Sequence, residues 1–287
     1  MIRMISEDGS LFMMAADTTE IVKRAQEIHN TTNVCTAALG RLLTGAAFMG
    51  QLLKGKDSTV TLVASGKGPC GNVTAVADSL GNVRGYIAQP RVELPLNSKG
   101  KLDVGRAVGT DGFLYVVKNL GMGEPYSGQV PLVSGEIAED ITSYFASSEQ
   151  TPTVCALGVL TSPSEQVLVS GGFLIQLLPT ADDETISAVE RCISNIRPVT
   201  TMLSEGLSLE EICQSVLSEL SLQSLGEYEI DYRCNCSRER VEKALLASGR
   251  EALAEMAEDE KTVASCDYCG TSYVFTQEEI KKLAAIN

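Results

Sequence analysis

The chain has 287 residues, a formal net charge of −14, nine cysteines and a single histidine. This acidic surplus argues against nucleic acid as the main partner, because phosphate binding depends on clustered lysine and arginine. Met1–Ser10 lacks the apolar core of a signal peptide, and no run reaches the roughly 18 apolar residues of a membrane span. These features together predict a cytoplasmic protein that binds neither nucleic acid nor membrane.

The N-terminal region begins with two strand patterns, Ile2–Ser6 and Leu11–Ala15, on either side of Asp8-Gly9. An Asp-Gly pair between apolar runs predicts a β-hairpin. Asp17 then stands three residues before Glu20, which predicts a capping box and a helix to about Asn30. His29 falls at the end of this helix, and we expect it to have a helix-terminal or surface role.

The next segment, Asn33–Lys54, predicts a helix that carries many alanines and glycines. Small side chains allow close approach of a neighbouring backbone, so this helix is expected at the centre of the core. Strands are predicted over Ser58–Ser65, Asn72–Ala77 and Asn82–Ile87. Gly66–Gly71 lacks the spacing and the Gly-Lys-Ser/Thr ending of a phosphate-binding loop, and we interpret it as a tight turn.

Further strand patterns occur at 112–118, 128–133, 153–160 and 166–178, and Pro179 ends the last one. Between them, Ser134 is predicted to cap a helix over Gly135–Ala146 whose first turns are acidic. The sequence therefore predicts an α+β fold, with an N-terminal mixed β-sheet domain and packed helices over residues 1–179.

Residues 180–226 are predicted to form a helical linker. From Thr180 to Leu222 there are eight acidic residues and only two arginines. Ser208 and Glu211 form a predicted capping box. Two apolar stripes follow helical spacing, and they consist of Ile186, Val189, Ile193 and Ile196 and of Ile212, Val216 and Leu220. Their polar faces are either ordinary solvated surfaces or part of a mobile segment that offers its apolar stripe to a partner.

Residues 227–287 are predicted to form a small C-terminal zinc-binding module with two close cysteine pairs, Cys234-Asn235-Cys236 and Cys266-Asp267-Tyr268-Cys269. Two short loops that each present two sulfurs suit tetrahedral zinc. Gly270 can adopt the left-handed conformation that closes a zinc knuckle. Helices capped by Ser237 and by Thr276 with Glu279 are expected around the cysteines.

Zinc ligation by the paired cysteines competes with two alternatives, a thiol oxidoreductase centre and unrelated buried thiols. The oxidoreductase needs a βαβ context that the C-terminal sequence lacks. Five cysteines stand alone, namely Cys35, Cys70, Cys155, Cys192 and Cys213. We expect them to be small packed hydrophobic residues, with Cys70 in its glycine-rich loop as the candidate for exposure. No catalytic dyad supports an enzyme.

A family resemblance rests on motifs spread along the whole chain. They are Cys234-x-Cys236 followed by Ser-Arg-Glu-Arg-Val, Cys266-x-x-Cys269-Gly270, Gly135–Asp140 leading to Ser148–Pro152, and Gly171-Gly172 with Gln176 and Pro179. On these motifs the sequence resembles the redox-regulated holdase chaperones of bacteria known as the 33-kDa heat-shock protein family. The combination of the two cysteine motifs is the specific part of this resemblance.

The resemblance implies an ATP-independent chaperone that is inactive when reduced, with one Zn²⁺ per chain bound by Cys234, Cys236, Cys266 and Cys269. It implies that oxidation joins Cys234 to Cys236 and Cys266 to Cys269, releases zinc and unfolds the C-terminal module and linker. The oxidised form is then expected to be a homodimer that holds unfolded or aggregation-prone client proteins.

The alternative is a constitutive zinc-ribbon module that binds a protein or nucleic-acid partner without any switch. Tyr268, Tyr273 and Phe275 could stack on bases. However, Gln223–Asn287 holds thirteen acidic residues against eight basic ones, so the basic groove that should accompany such stacking is missing.

Overall fold

The computed structural model describes residues 1–121, 123–194 and 196–286, and it confirms the predicted α+β class. The chain forms two compact units, Met1–Tyr232 and Arg233–Asn287. The functional division of the chain at residues 179 and 226 stays a prediction. None of the helices in the described part of the chain is both long and apolar enough to span a membrane.

The first unit contains two β-sheets and the helices that pack on them. Its strands are β1 (Ile2–Ser6), β2 (Leu11–Asp17), β3 (Thr59–Ser65), β4 (Val73–Asp78), β5 (Asn82–Ile87), β6 (Phe113–Asn119), β7 (Tyr126–Pro131), β8 (Thr153–Thr161), β9 (Val167–Leu177), β10 (Leu222–Glu227) and β11 (Asp231–Tyr232). Its helices are α1 (Thr19–His29), α2 (Asn33–Gln51), α3 (Val104–Val108), α4 (Ala138–Ser148), α5 (Asp183–Ser194), α6 (Val199–Ser204) and α7 (Leu209–Val216).

The order of the strands brings distant segments together. One sheet has five strands in the order β10-β1-β2-β9-β8, and the other has six in the order β11-β5-β4-β3-β6-β7. The predicted β1–β2 hairpin is confirmed, with Ile2 opposite Ala15 and Ile5 opposite Phe12. Among the strands that the structure describes, all pairs are antiparallel except β11 with β5, which run parallel over two residue pairs.

Helix α2 lies in the main core, as its small residues predict. It contacts strands of both sheets. A Cβ atom added at Gly40 would lie 2.8 Å from Cγ2 of Val159, and one added at Gly50 would lie 2.8 Å from the carbonyl oxygen of Asp78. Glycine at these positions therefore permits the close packing that the helix needs.

The start of α1 differs from the prediction. Its N-cap residue is Thr18 rather than Asp17, and no side chain caps it. Asp17 accepts a hydrogen bond from the backbone N–H of Thr19 at 2.9 Å, which forms a local turn one residue earlier. An aspartate can bond the backbone two residues on as readily as it caps a helix, and that alternative is realised here.

The predicted cap of α4 by Ser134 is wrong, since the helix begins at Ala138. The buried carboxylate of Asp140 organises this turn instead. Its oxygens accept hydrogen bonds from the backbone N–H groups of Val133 at 2.7 Å and Ile137 at 2.9 Å, and also from those of Ser134 and Gly135. A carboxylate is a stronger acceptor than a hydroxyl, so the backbone of residues 133–137 turns around the Asp140 side chain.

Helices α5, α6 and α7 cover one face of the five-stranded sheet. The sheet contributes a buried apolar set to this second core: Ile2, Met4, Leu11, Met13, Ala15, Phe173 and Ile175. The helices contribute Val189, Val199, Met202, Ile212, Cys213, Val216 and Leu217. The alternate residues Met14, Ala16 and Leu174 face the main core, as the period of two in a strand requires.

The C-terminal part of the predicted helical linker forms a strand. β10 pairs with β1, with Ser6 opposite Leu222 and Ile2 opposite Glu227. Strand β10 has no continuous apolar pattern of its own, so only the edge that β1 offers explains its conformation. The capping box of Ser208 and Glu211 is confirmed.

The second unit is small and contains β12 (Lys261–Ser265), β13 (Ser272–Thr276), α8 (Arg238–Ala247), α9 (Arg250–Met256) and α10 (Gln277–Ile286). The predicted caps are confirmed: Ser237 accepts from the N–H of Arg240 at 3.3 Å, and Thr276 accepts from that of Glu279 at 3.3 Å. Among the described residues its buried core consists of Leu245, Leu253, Ala257, Phe275, Ile280 and Leu283.

Candidate metal centre

The first cysteine loop joins β11 to α8. Cys234 and Cys236 lie in this irregular segment, and both are half-buried. Ser237 ends the loop as the N-cap of α8, with φ −147° and ψ 165°. The cap fixes where the helix begins, so Cys236 is held immediately before the first helical turn.

The second cysteine loop is a tight turn between β12 and β13. The N–H groups of Cys269 and Gly270 donate to the carbonyl oxygen of Cys266 at 3.3 and 2.8 Å, and the N–H of Cys266 donates to the carbonyl of Thr271 at 2.9 Å. Gly270 has φ 70°, the left-handed conformation predicted for it. This backbone turn directs the two cysteines of the loop to the same side.

The four sulfur atoms form one cluster. All of them lie within 4.8 Å of one another. The Sγ atoms of Cys234 and Cys266 are 3.8 Å apart, and those of Cys236 and Cys269 are 3.4 Å apart. Bonds of about 2.3 Å to a tetrahedral zinc ion would place the sulfurs roughly 3.8 Å apart. The donor set and its spacing therefore fit a tetrahedral thiolate-bound metal ion.

Two hydroxyl groups lie against the sulfurs. The Tyr273 hydroxyl is 3.1 Å from Sγ of Cys236, and the Thr271 hydroxyl is 3.2 Å from Sγ of Cys269. Tyr273 lies on β13 opposite Ala264, so it reaches from the ribbon that carries the second loop to a sulfur of the first. The hydrogen bond with Cys236 raises the pKa of Tyr273 to about 12, which keeps the phenol protonated.

The thiols of the metal-free cluster differ in acidity. Burial raises the pKa of Cys234 to about 12, and burial also raises the pKa of Cys266. Burial alone would raise the pKa of Cys269 as well, but hydrogen bonds with Thr271, Cys236 and Cys266 lower it to about 7. Without a metal ion, the cluster therefore holds protonated and ionised sulfurs side by side.

Arg238 ties the first loop to the rest of the second unit. Its guanidinium donates to the carbonyl oxygen of Val274 at 2.9 Å and to the carboxylate of Glu279 at 2.7 Å. The guanidinium carbon also lies 4.2 Å from the centroid of the Phe275 ring. Because Arg238 follows Cys236 by two residues, these contacts connect the loop to β13 and α10.

The structure brings together the four cysteines that the sequence singles out, and the other five lie outside this cluster. Cys70 is fully buried, so the expectation that it is exposed is wrong. Its turn packs against the α3 segment, where its N–H donates to the carbonyl of Ala107 at 3.1 Å. Burial raises the pKa values of Cys70, Cys155 and Cys213 to about 12, which makes these thiols poor nucleophiles.

Tyr273 is a neighbour of the cluster that the cysteine motifs do not reveal, and the sequence suggested it only for base stacking. Arg238 belongs to the motif that follows Cys236, but the motif does not reveal its contacts with β13 and α10. The alternation of β13 was the available signal, because it places Tyr273 and Phe275 on one face of the strand. His29 is the last residue of α1, as predicted, and its Nε2 lies 2.9 Å from the carbonyl oxygen of Gly85 and 3.3 Å from the Tyr232 hydroxyl.

The comparisons with known proteins agree with one another. The family model described as Hsp33 protein matches residues 1–276. The 33 kDa chaperonin of Acetivibrio thermocellus is 47% identical over 286 residues, with 99% of this chain and 96% of the relative covered. That of Lachnoclostridium phytofermentans is 47% identical over 283 residues, with 98% and 97% covered.

A solved structure is also similar over nearly the whole chain. The crystal structure of the 33 kDa chaperonin from Thermotoga maritima, a heat shock protein 33 homologue, has a TM-score of 0.89 and 36% sequence identity. The similarity covers 99% of this chain and 98% of the crystallised one.

Proposed function

The chain belongs to the Hsp33 family of chaperones, and from this premise we propose that it is a redox-regulated, ATP-independent holdase. In the reduced state it binds one zinc ion through Cys234, Cys236, Cys266 and Cys269 and is inactive. Oxidation of these cysteines activates it to bind unfolded or aggregation-prone proteins in the cytoplasm, as a homodimer.

The observation that carries this proposal is the four-sulfur cluster in a unit with little core. The four Sγ atoms lie within 4.8 Å of one another, whereas the buried apolar side chains among the described residues of the unit are only those around Phe275 and Leu253. A small domain with so small a core needs a further source of stability. Bound zinc would supply roughly 10–16 kcal/mol of apparent binding energy.

Hydrogen peroxide would oxidise the cysteine ligands to disulfides in two steps. A thiolate attacks hydrogen peroxide, the O–O bond breaks, the sulfur becomes a sulfenic acid, and the released hydroxide takes up a proton to become water. The second thiolate of the pair then displaces hydroxide from the sulfenic acid and forms a disulfide. We place the disulfides within the loops, Cys234 with Cys236 and Cys266 with Cys269.

Loss of the metal ligands is proposed to unfold the second unit and then the linker. The linker ends at residue 226, and only the short segment that contains β11 (Asp231–Tyr232) separates it from Cys234. Helices α5, α6 and α7 pack apolar residues, including Val189, Met202 and Ile212, against one face of the five-stranded sheet. Release of these helices would expose both the stripes and the sheet face around Met4, Met13 and Phe173, which would give unfolded clients a continuous apolar surface.

The test is to follow zinc and client together. Reduced, zinc-loaded protein is treated with peroxide at a mildly elevated temperature, zinc release is measured with a chromogenic chelator, and aggregation of a thermally unfolded client is followed by light scattering without ATP. We expect weak suppression before oxidation and strong suppression after zinc release. Equal suppression by both forms would favour the constitutive zinc-ribbon binding module instead.

A further inference from the structure

Strand β10 extends along the whole outer edge of β1. The N–H of Glu7 donates to the carbonyl oxygen of Ser221 at 3.1 Å, and the N–H of Tyr228 donates to the carbonyl oxygen of Met1 at 2.8 Å. The ladder between these two bonds is antiparallel. Without β10, the backbone groups on this side of β1 would be open to pairing with another strand.

The side chains of β10 match those of β1 poorly. Ser224 stands opposite Met4 and Glu227 stands opposite Ile2, so polar groups of β10 meet apolar groups of β1. Ser224 and Glu227 are exposed, whereas Met4 and Ile2 are buried in the second core. The register also shifts within the ladder, where Leu225 has no opposite residue on β1 and is 51% exposed. The pairing therefore depends on the backbone more than on side-chain packing.

From this mismatch we propose that the outer edge of β1 is a binding site for extended segments of unfolded proteins, and that β10 occupies the site until the linker is released. The proposal rests on the proposed function, because activation has to remove β10. Strand addition takes its affinity from backbone hydrogen bonds, which every sequence offers, and its preference from alternate side chains. The edge of β1 would favour an uncharged segment with an apolar residue at every second position, since these residues would pack on Met4 and Ile2.

Release of the linker helices would weaken the pairing of β10 as well. Helix α7 contacts both β1 and β10, and its Ile212 and Val216 belong to the core that also contains Met4. Once α7 leaves, β10 keeps its backbone bonds to β1 but loses its contact with this helix. A polar residue opposite an apolar one adds little to the stability of a strand pair, so a client segment with a β-branched residue opposite Met4 should displace β10.

A backbone-modified peptide distinguishes strand addition from general apolar binding. Since successive residues of an antiparallel strand direct their backbone groups alternately towards and away from the partner, the bond at Ser221 places the N–H of Gln223 towards β1 and that of Leu222 away from it. The probe is a fluorescein-labelled peptide of residues 220–229 with Ser224→Val. One derivative carries a methyl group on the backbone nitrogen of Gln223, and the matched control carries it on that of Leu222.

Binding of the probe is measured by fluorescence anisotropy with the full-length protein as reduced wild type, oxidised wild type and reduced Gln223→Pro, whose β10 lacks one N–H that faces β1. Gln223→Thr keeps this N–H and is the control for the side chain. Hydrogen exchange of residues 222–227 shows in each form whether β10 is released. We expect the forms with a released β10 to bind the probe at least about tenfold more tightly, because the edge is then open. Methylation at Gln223 should weaken binding roughly fivefold, and methylation at Leu222 less than about twofold.

Equal binding of the two methylated peptides would overturn the proposal, because it would show apolar binding without strand addition. Failure of the probe to bind a form whose β10 exchanges fast would overturn it too. Probe binding that is lost when the protein forms dimers at higher concentration would assign the edge to a second copy of this chain and would also overturn the proposal.

The peptide experiment separates this proposal from the proposed holdase, since no client aggregation is measured. If oxidation leaves β10 protected, the proposed release of the linker is wrong, and the reduced Gln223→Pro protein alone decides whether the edge binds a strand. If Gln223→Pro does not fold, as judged by circular dichroism, the oxidised wild type decides it.

Discussion

Arg238 of α8 stacks on Phe275 of β13, with the guanidinium carbon 4.2 Å from the ring centroid. Since Phe275 is fully buried in the small core, this contact joins the first cysteine loop to that core. Arg238→Ala should weaken zinc binding about tenfold, because a stacked and hydrogen-bonded arginine contributes about 1–2 kcal/mol to the metal-bound fold. Arg238→Lys should recover only part of the loss, since an ammonium group cannot reproduce the planar contacts.

Competition with a chelator measures the effect of the Arg238 variants. The matched control is Arg240→Ala, which removes an exposed arginine of the same helix and should leave the affinity within about twofold, as expected for a surface substitution. Equal losses in Arg238→Ala and Arg240→Ala would mean that net charge rather than the stacking governs zinc affinity.

Removal of one proposed ligand should abolish tight zinc binding. Cys269→Ser replaces a thiolate by a hydroxyl that remains protonated, so metal analysis of the purified variant should find almost no zinc. Cys192→Ser is the control, because Cys192 is a half-buried cysteine of α5 outside the cluster, and it should keep one zinc ion per chain. Full occupancy in Cys269→Ser would refute the ligand assignment.

Zinc affinity should rise steeply with pH. Burial raises the pKa of Cys234 to about 12 and also raises that of Cys266, so both thiols are protonated at neutral pH without metal. Thiolate ligation must displace these protons. The stability that metal binding gives is therefore present at higher pH and lost as the pH falls.

We expect the logarithm of the apparent zinc affinity to increase by about two or more per pH unit near neutrality, one for each displaced proton. Chelator competition between pH 6 and 8 measures the slope, and proton release on zinc addition to a weakly buffered sample checks it independently. An affinity that does not change with pH would contradict thiolate ligation.

A weakened linker core should lower the barrier to activation. Ile212 of α7 is fully buried against the five-stranded sheet, and Ile212→Ala should destabilise the packing of α7 by about 2–5 kcal/mol. The variant should suppress client aggregation at lower peroxide or lower temperature than the wild type. Gln214→Ala changes an exposed residue on the same helix and should behave like the wild type. If both variants needed the same peroxide concentration and temperature for activation, the packing of the linker would not control activation.

Activation should unfold the second unit and the linker but not the main core. Hydrogen exchange of the oxidised protein is expected to be fast from residue 180 to residue 286, while Asn33–Gln51 stays protected by its burial between the two sheets. Mass spectrometry of peptides from the reduced and oxidised forms provides the comparison. A linker that stays as protected as in the reduced form would place the switch elsewhere.

The sequence was sufficient to predict those parts that local signals specify. The Asp8-Gly9 hairpin, the small-residue helix α2, the Ser208–Glu211 capping box and the two cysteine loops each have a pattern of a few residues. The predictions failed for two reasons. At Ser134 two nearby acceptors compete, and the Asp140 carboxylate holds the backbone groups of the turn. At β10 a distant segment decides the outcome, because the strand forms on the edge that β1 offers.

The same distinction applies to the metal centre. The cysteines are recognisable because their spacing is local, whereas the approach of Tyr273 to Cys236 depends on the register of β12 with β13 and on the place where α8 begins. A residue that is far away in sequence and has no metal-binding side chain of its own leaves no signal in the ligand motif.

The parallel pairing of β11 with β5 holds the last strand of the first unit to the six-stranded sheet over a short length. Asp231 and Tyr232 pair with Asn82 and Val83, and the Tyr232 hydroxyl donates to the carbonyl of Gly85 at 2.9 Å. Since the predicted unfolding from residue 180 to residue 286 includes β11, activation would also remove this edge strand and leave the backbone groups of β5 open to pairing with another extended chain.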